Sequence, residues 1–206
     1  MTILKDIYKA IFGKDYSFIW KQFASDVDGK YLPNSEDKVE FIYKGYKILF
    51  DSYTHYTVVG ESSYEKEYVR GIAEFISPDN LKLKLIPQGL IENIGKFFGS
   101  QDITIGDKLF DKKYIIKGND DYKAQLVLSN NSIKKTLMEQ NIVRLEITDS
   151  EGLFDEKVQE GNSMIYYVTE EKITHIDQLN NLKTLFVDLI DQLTKNNSAK
   201  PLKAIN

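Results

Sequence analysis

The chain contains no cysteine, which removes disulfides, thiolate catalysis and cysteine-ligated metals together. Arginine is nearly absent. Arg70 and Arg144 are the only two, and net charge is −4. Bidentate reading of phosphate and guanine relies on arginine, so nucleic acid is not an expected partner. Histidine is scarce, with His55 and His175 alone. No apolar run reaches the ~18 residues that a membrane-spanning helix needs. Lys5, Asp6 and Lys9 interrupt the first apolar residues, so the start does not read as a signal peptide and a cytoplasmic location is expected. There is no G-x-S-x-G elbow, phosphate-binding loop, dinucleotide fingerprint or H-E-x-x-H pair.

What is present is ordinary globular material. At 206 residues the chain suits one large domain or two small ones. Hydrophobic residues make up 42%, enough for a core without metal or disulfide. The 13 tyrosines and 11 phenylalanines favour β-structure, because aromatic rings fit a pleated, half-buried surface.

Periodicity divides the chain into elements. Ile3, Leu4, Ile7 and Ile11 share one helical face, and Tyr16, Ile19, Trp20, Phe23 and Val27 share another before Asp28-Gly29. Residues 38–87 read as an antiparallel meander. Two strands flank Lys44-Gly45 as a two-residue turn, a third runs over 53–59 and a fourth over 67–76. Leu81, Leu83 and Leu85 then alternate with Lys82 and Lys84 as a half-buried strand. Leu90, Ile91, Ile94, Phe97 and Phe98 form an amphipathic helix closed by Gly99.

A second block follows. Residues 114–117 are a short strand, Asn119 or Asp120 caps a helix, and Ser129 or Ser132 caps the next. Val143, Leu145 and Ile147 alternate with Arg144 and Glu146. Residues 153–158 and 164–169 read as a hairpin around Gly161. A broad stripe of Leu179, Leu182, Leu185, Phe186, Leu189, Ile190 and Leu193 marks a long helix that docks on a sheet. The expected fold is α+β, an antiparallel sheet with packed helices and a long C-terminal helix. Its blocks span residues 1–99 and 100–196 in one compact unit, and a polar tail frays over 197–206.

One stretch is specific. Ile94-Gly95-Lys96, Gly99, Gln101-Asp102-Ile103, Ile105-Gly106-Asp107, Phe110-Asp111 and Ile116-Lys117-Gly118-Asn119-Asp120 resemble the signature of an uncharacterised bacterial family, a domain of unknown function. Residues 107–128 are also similar to the soluble portion of a broader group of bacterial domains, some tethered to membranes. The similarity extends over about residues 16–150. It implies a family without an assigned activity and brings no catalytic residues.

Three candidate sites follow from residue types. Asp102, Asp107, Asp111, Asp120 and Asp121 are dense enough to hold Ca²⁺ or Mg²⁺, but their spacing fits no EF-hand loop, and Asp107 also reads as a turn residue, Asp111 as ordering the entry to the next strand and Asp120 as a helix cap. Tyr43, Tyr46, Tyr53, Tyr56, Tyr64 and Tyr68 crowd the first sheet. They can form an aromatic binding surface, or they can stabilise the sheet as cross-strand pairs. The N-terminal apolar face beside Lys5, Lys9, Lys14 and Lys21 fits a docked helix, a self-association surface or a membrane-surface helix, in that order.

The reading is a non-enzymatic cytoplasmic protein that binds another protein, itself or a different one, with no cofactor. The alternative is a divalent-metal enzyme using Asp102, Asp107 and Asp111 in the 102–121 loops.

Overall fold

The computed structural model describes residues 16–33, 36–59, 62–89, 102–153 and 157–202. The expected helices over 1–15 and 90–99 lie outside these residues. The described chain runs α1 (Ser17–Asp26), β1 (Lys30–Tyr31), β2 (Lys38–Tyr43), β3 (Tyr46–Val59), β4 (Ser62–Phe75) and β5 (Leu83–Pro87). It continues through α2 (Lys108–Lys113), β6 (Tyr114–Gly118), α3 (Asp121–Leu128), α4 (Asn131–Glu139), β7 (Ile142–Thr148), β8 (Ser163–Thr169) and α5 (Ile176–Lys195).

All eight strands form one antiparallel sheet in the order β1-β2-β3-β4-β8-β7-β5-β6. The fold is therefore α+β, with a long C-terminal helix. The first four strands are a simple meander. The Lys44-Gly45 turn has φ of 49° and 83°, the left-handed pair that matches the twist of a tight hairpin. The later strands fill in from the far edge. β5 of the first sequence block sits between β7 and β6 of the second, and β8 closes the gap between β4 and β7.

The helices cover one sheet face. Trp20 and Phe23 of α1 are buried, as is the whole α5 stripe of Leu179, Leu182, Leu185, Phe186, Leu189, Ile190 and Leu193. Phe23, Phe41, Phe50 and Phe186 meet mostly edge to face, with centroids 5.1–5.9 Å apart. Such geometry aligns ring edges with ring faces and adds to simple burial. The opposite face carries a smaller cluster of Met164, Tyr166 and Val168, with Tyr68, Ile72, Val143, Leu153 and Val158 packed against it.

Several local expectations give way to tertiary pairing. Residues 46–59 are one continuous strand rather than two, and its partner starts at Ser62 rather than residue 67. A short helix, α2, stands between Asp107 and the β6 strand. Asn130 caps α4, accepting the Ser132 and Ile133 N–H groups, so neither Ser129 nor Ser132 is its cap. Residues 157–159 are not a strand; β8 finds its partners in β4 and β7 instead.

The tail expected to fray does not, as far as it is described. Ser198 and Ala199 are buried, and Lys200 exchanges two backbone hydrogen bonds with Ile76 at 2.9 and 3.0 Å. Residues 203–206 lie outside the described set.

Candidate functional site

β3 and β4 outrun the sheet. The β2 register ends at Lys38 opposite Asp51, and the β8 register ends at Thr169 opposite Val69. Residues 52–59 and 62–68 pair with each other and, among the described residues, with no further strand. At ~3.3 Å per residue this is a ribbon about 25 Å long.

The ribbon's root is held firmly. Asp51 accepts from Arg70 Nε at 2.8 Å and from its terminal nitrogen at 2.7 Å, and the guanidinium lies 4.6 Å from the Tyr53 ring centroid. Ser52 N–H donates to the Asp37 carbonyl and Thr54 N–H to Glu36 Oε1, both at 2.9 Å. Lys66 pairs with Glu170 at 2.9 Å and Lys172 with Glu67 at 2.7 Å, tying β4 to the segment after β8. Further out, Tyr56 is 49% exposed, Tyr64 59% and Val58 73%.

The tyrosines singled out from the sequence therefore divide. Tyr46 is buried and its hydroxyl meets Thr194 Oγ1 at 2.9 Å, while Tyr43 donates to Asp191 Oδ2 at 3.0 Å. Both hydroxyls reach α5, so these two tyrosines tie β2 and β3 to that helix. Lys44 joins them through Asp191 at 2.8 Å, and that hydrogen bond pushes its ammonium up to about 12. Tyr53, Tyr56, Tyr64 and Tyr68 all lie on the ribbon. Tyr53 stands directly opposite Tyr68, and the same face carries His55 and Tyr64; Tyr56 points to the other face.

The acidic candidates do not come together. Asp102 pairs with Lys117 at 2.5 Å. Asp107 caps α2 through the Leu109 and Phe110 N–H groups and meets Lys134 at 3.4 Å. The Phe110 N–H, joined by Lys134 and Leu109, outweighs the opposing effect of desolvation and holds its carboxyl below the usual range. Asp111 accepts from the Ile105 and Gly106 N–H groups at 3.0 and 3.1 Å. Asp120 caps α3 through the Lys123 N–H. Among the described residues, no three His, Asp or Glu side chains converge as a metal cluster.

This accounts for the described part of the family-like signature in structural terms. Its carboxylates satisfy helix starts and turns. Gly106 has φ of 79°, which only glycine adopts without strain. Asn119 donates to the Asn80 carbonyl and accepts the Lys82 N–H, both at 2.8 Å, locking the start of β5 to the end of β6.

A third polar assembly lies on the sheet face away from the helices, and the sequence did not mark it. Glu146 Oε1 accepts from Lys84 Nζ at 3.0 Å and lies 3.7 Å from Arg144 Nε. All three side chains are 10–14% exposed. They line a cavity of about 80 Å³ with Thr148, Ser150 and Glu151. A wider groove of about 470 Å³ adjoins it, sharing Ser150 and Glu151 and bordered by Asp149, Lys157 and Val158. Asp149 is held by Lys82 at 2.8 Å, and that bond keeps its carboxyl below the ordinary range. In sequence, Arg144 and Glu146 are simply the polar members of an alternating strand. Strands on both sides of β7 bury them instead.

The histidines stand in separate places. His55 lies on the ribbon with its ring 6.4 Å from that of Tyr53. His175 precedes α5, with Nδ1 at 2.9 Å from Thr174 Oγ1.

No family model matches this chain, and no curated protein matches it. A solved structure, the mycobacterial trehalose monomycolate transport factor A, TtfA, aligns with it at 9% identity and a TM-score of 0.49. That alignment spans 90% of this chain and 97% of the other. Among the described residues, no helix is long and apolar enough to cross a membrane.

Proposed function

We propose that this is a non-enzymatic cytoplasmic binding protein that engages a partner protein through the β3–β4 ribbon. The observation that supports this is the ribbon itself. A two-stranded hairpin in water is marginal without a third strand or a covering layer. This one is anchored by ion pairs at its root and displays Tyr56, Val58 and Tyr64 beyond it. Tyrosine supplies contact area with little rotamer entropy to lose, which is why it is enriched at interfaces. The family-like signature and the acidic loops contribute to folding in this reading and contribute nothing to catalysis.

A photo-crosslinking residue placed at Tyr64, compared with one placed at exposed Lys135 on α4, tests the reading. Cross-linking in bacterial cells should yield a discrete adduct from the ribbon position alone. Replacing residues 55–66 with Asn-Gly should abolish co-purification of that adduct's protein while circular dichroism keeps the native signal. Equal adducts from both positions, or binding unaffected by the shortened ribbon, would rule the ribbon out.

A further inference from the structure

Resting on the ribbon as the binding element, we propose that its partner is a second copy of this chain. The outer edge of β3 pairs with the same edge of the other copy, antiparallel about a two-fold axis at Thr57.

Three observations lead there. The first is that the ribbon's two edges differ. β4 carries Glu65, Lys66 and Glu67, and the last two are tied to Glu170 and Lys172 at 2.9 and 2.7 Å. Charged side chains of this kind keep a sheet edge from accepting another strand. β3 lacks that protection. From Ser52 to Gly60 the sequence holds no Asp, Glu, Lys, Arg or Pro. It reads Ser-Tyr-Thr-His-Tyr-Thr-Val-Val-Gly, rich in the β-branched and aromatic residues that favour strands. A long edge of that composition is a template for strand addition.

The second is direction. Ser52 N–H donates to the Asp37 carbonyl and Thr54 N–H to Glu36 Oε1, on the side away from β4. Even-numbered residues of β3 therefore aim their backbone groups outward, and alternation gives Tyr56 and Val58 the same direction. Hydrogen-bonded pairing with an added strand must match even positions to even ones when that strand is a second β3. Among the described residues, no strand other than β4 pairs with β3 beyond Asp51.

The third is self-complementarity, and it selects a second copy as the occupant. Tyr56 and Val58 share one face of the ribbon and are 49% and 73% exposed. An axis at Thr57 sets Tyr56 of each copy opposite Val58 of the other. Both contacts are aromatic–β-branched pairs, a favourable cross-strand kind, and no like charges meet between the two β3 edges. The two hairpins become one sheet in the order β4-β3-β3-β4. A lone hairpin is marginal in water, whereas three or more strands hold together. One strand pair of this length buries little area, so the dimer belongs to the weak, concentration-dependent class.

The absence of cysteine allows a clean test in the full chain. In the paired state the two Cα atoms of residue 57 stand about 4.5 Å apart, within disulfide reach. Thr57→Cys and, as a comparison, Lys135→Cys on exposed α4 are oxidised at matched protein concentrations. Each rate of dimer formation is normalised to that thiol's alkylation by iodoacetamide. Thr57→Cys should link about tenfold faster or more. Adding Val58→Lys, which places a charge on the edge, should slow that linkage about tenfold while circular dichroism keeps the native signal. Equal rates at the two positions, or a rate unchanged by Val58→Lys, would overturn the second copy. The ribbon's role fails separately. A discrete photo-adduct at Tyr64 with a different polypeptide, and no preferred linkage at Thr57, overturns the second copy and keeps the ribbon; no adduct and no linkage removes both.

Discussion

At the scale of single residues, two positions show how one side chain serves distant elements. A Cβ on Gly71 would lie 2.5 Å from the Phe186 ring, and that ring is wedged between β4 and the rest of α5. Gly71→Ala should therefore cost ~1–3 kcal/mol through overpacking, measured by urea denaturation. A cost near zero would mean that α5 slides freely on the sheet. Asp79 is the second position. It accepts from Leu81 N–H and Ser77, from Ser198 Oγ at 2.6 Å, and pairs with Lys123. Burial alone would raise its carboxyl, but the hydrogen bonds from Lys123, Ser198 and Leu81 outweigh it and leave the group below its ordinary value. A depressed carboxyl contributes stability above the unfolded pKa of ~3.9 and loses it as pH falls through the folded value. Asp79→Asn should thus lower the melting temperature at pH 7, and the gap from wild type should close below about pH 4. A gap that stayed constant to pH 2 would remove the charge from the account. Within Ser77-Pro78-Asp79-Asn80, local chemistry gives Asp79 no more than a place in a turn. Its role as a junction depends on Lys123 and Ser198, which lie 44 and 119 residues further along.

At the scale of elements, α5 was legible and the segment after it was not. The stripe from Leu179 to Leu193 repeats at helical spacing, and every member is buried. Leu185→Ala or Leu189→Ala should each cost ~2–5 kcal/mol in a denaturant melt, since neither site has solvent to fill the void. The segment after α5 is polar in sequence, with Ser198 and Lys200 among its residues, and polarity alone suggested fraying. Asn197 turns it in a left-handed conformation, φ 56°, and Ser198 and Ala199 are buried beside the end of β4, where Lys200 bridges to Ile76. Ending the chain at Asn197 removes two backbone hydrogen bonds to Ile76 and the bond to Asp79. At ~1 kcal/mol each, the loss should be about 2–4 kcal/mol in equilibrium unfolding. An unchanged midpoint would show that the segment merely lies on the surface. The short helices repeat the lesson. Asp120 and Asn130 cap α3 and α4 by the rule that a side-chain oxygen accepts early N–H groups. Two serines next to Asn130 satisfy the same rule on paper, and only the backbone path selects among them.

At the scale of the whole molecule, the candidate sites owe more to strand order than to local pattern. The acidic stretch looked like a metal site because its carboxylates are close in sequence. In the fold each faces a different backbone or lysine partner. A panel of Mg²⁺, Ca²⁺ and Mn²⁺ should leave the melting temperature unchanged; an ion bound at 100 times its Kd would add ~2.7 kcal/mol and be obvious. The chain's two arginines offer the reverse case. Seventy-four residues apart, Arg70 and Arg144 both stand opposite Val168, on the two strands that flank β8 and on the same sheet face. The sequence by itself determined the α+β class, the Lys44-Gly45 turn, the long helix and most strand positions, because each rests on side-chain periodicity and turn chemistry within a few residues. Only the tertiary structure decided that β8 sits between β4 and β7, that Tyr43 and Tyr46 hold a helix while Tyr56 and Tyr64 face solvent, and that Lys84, Arg144 and Glu146 share a cavity. Strand partners are chosen by burial across the whole sheet, and that choice is invisible to any local window.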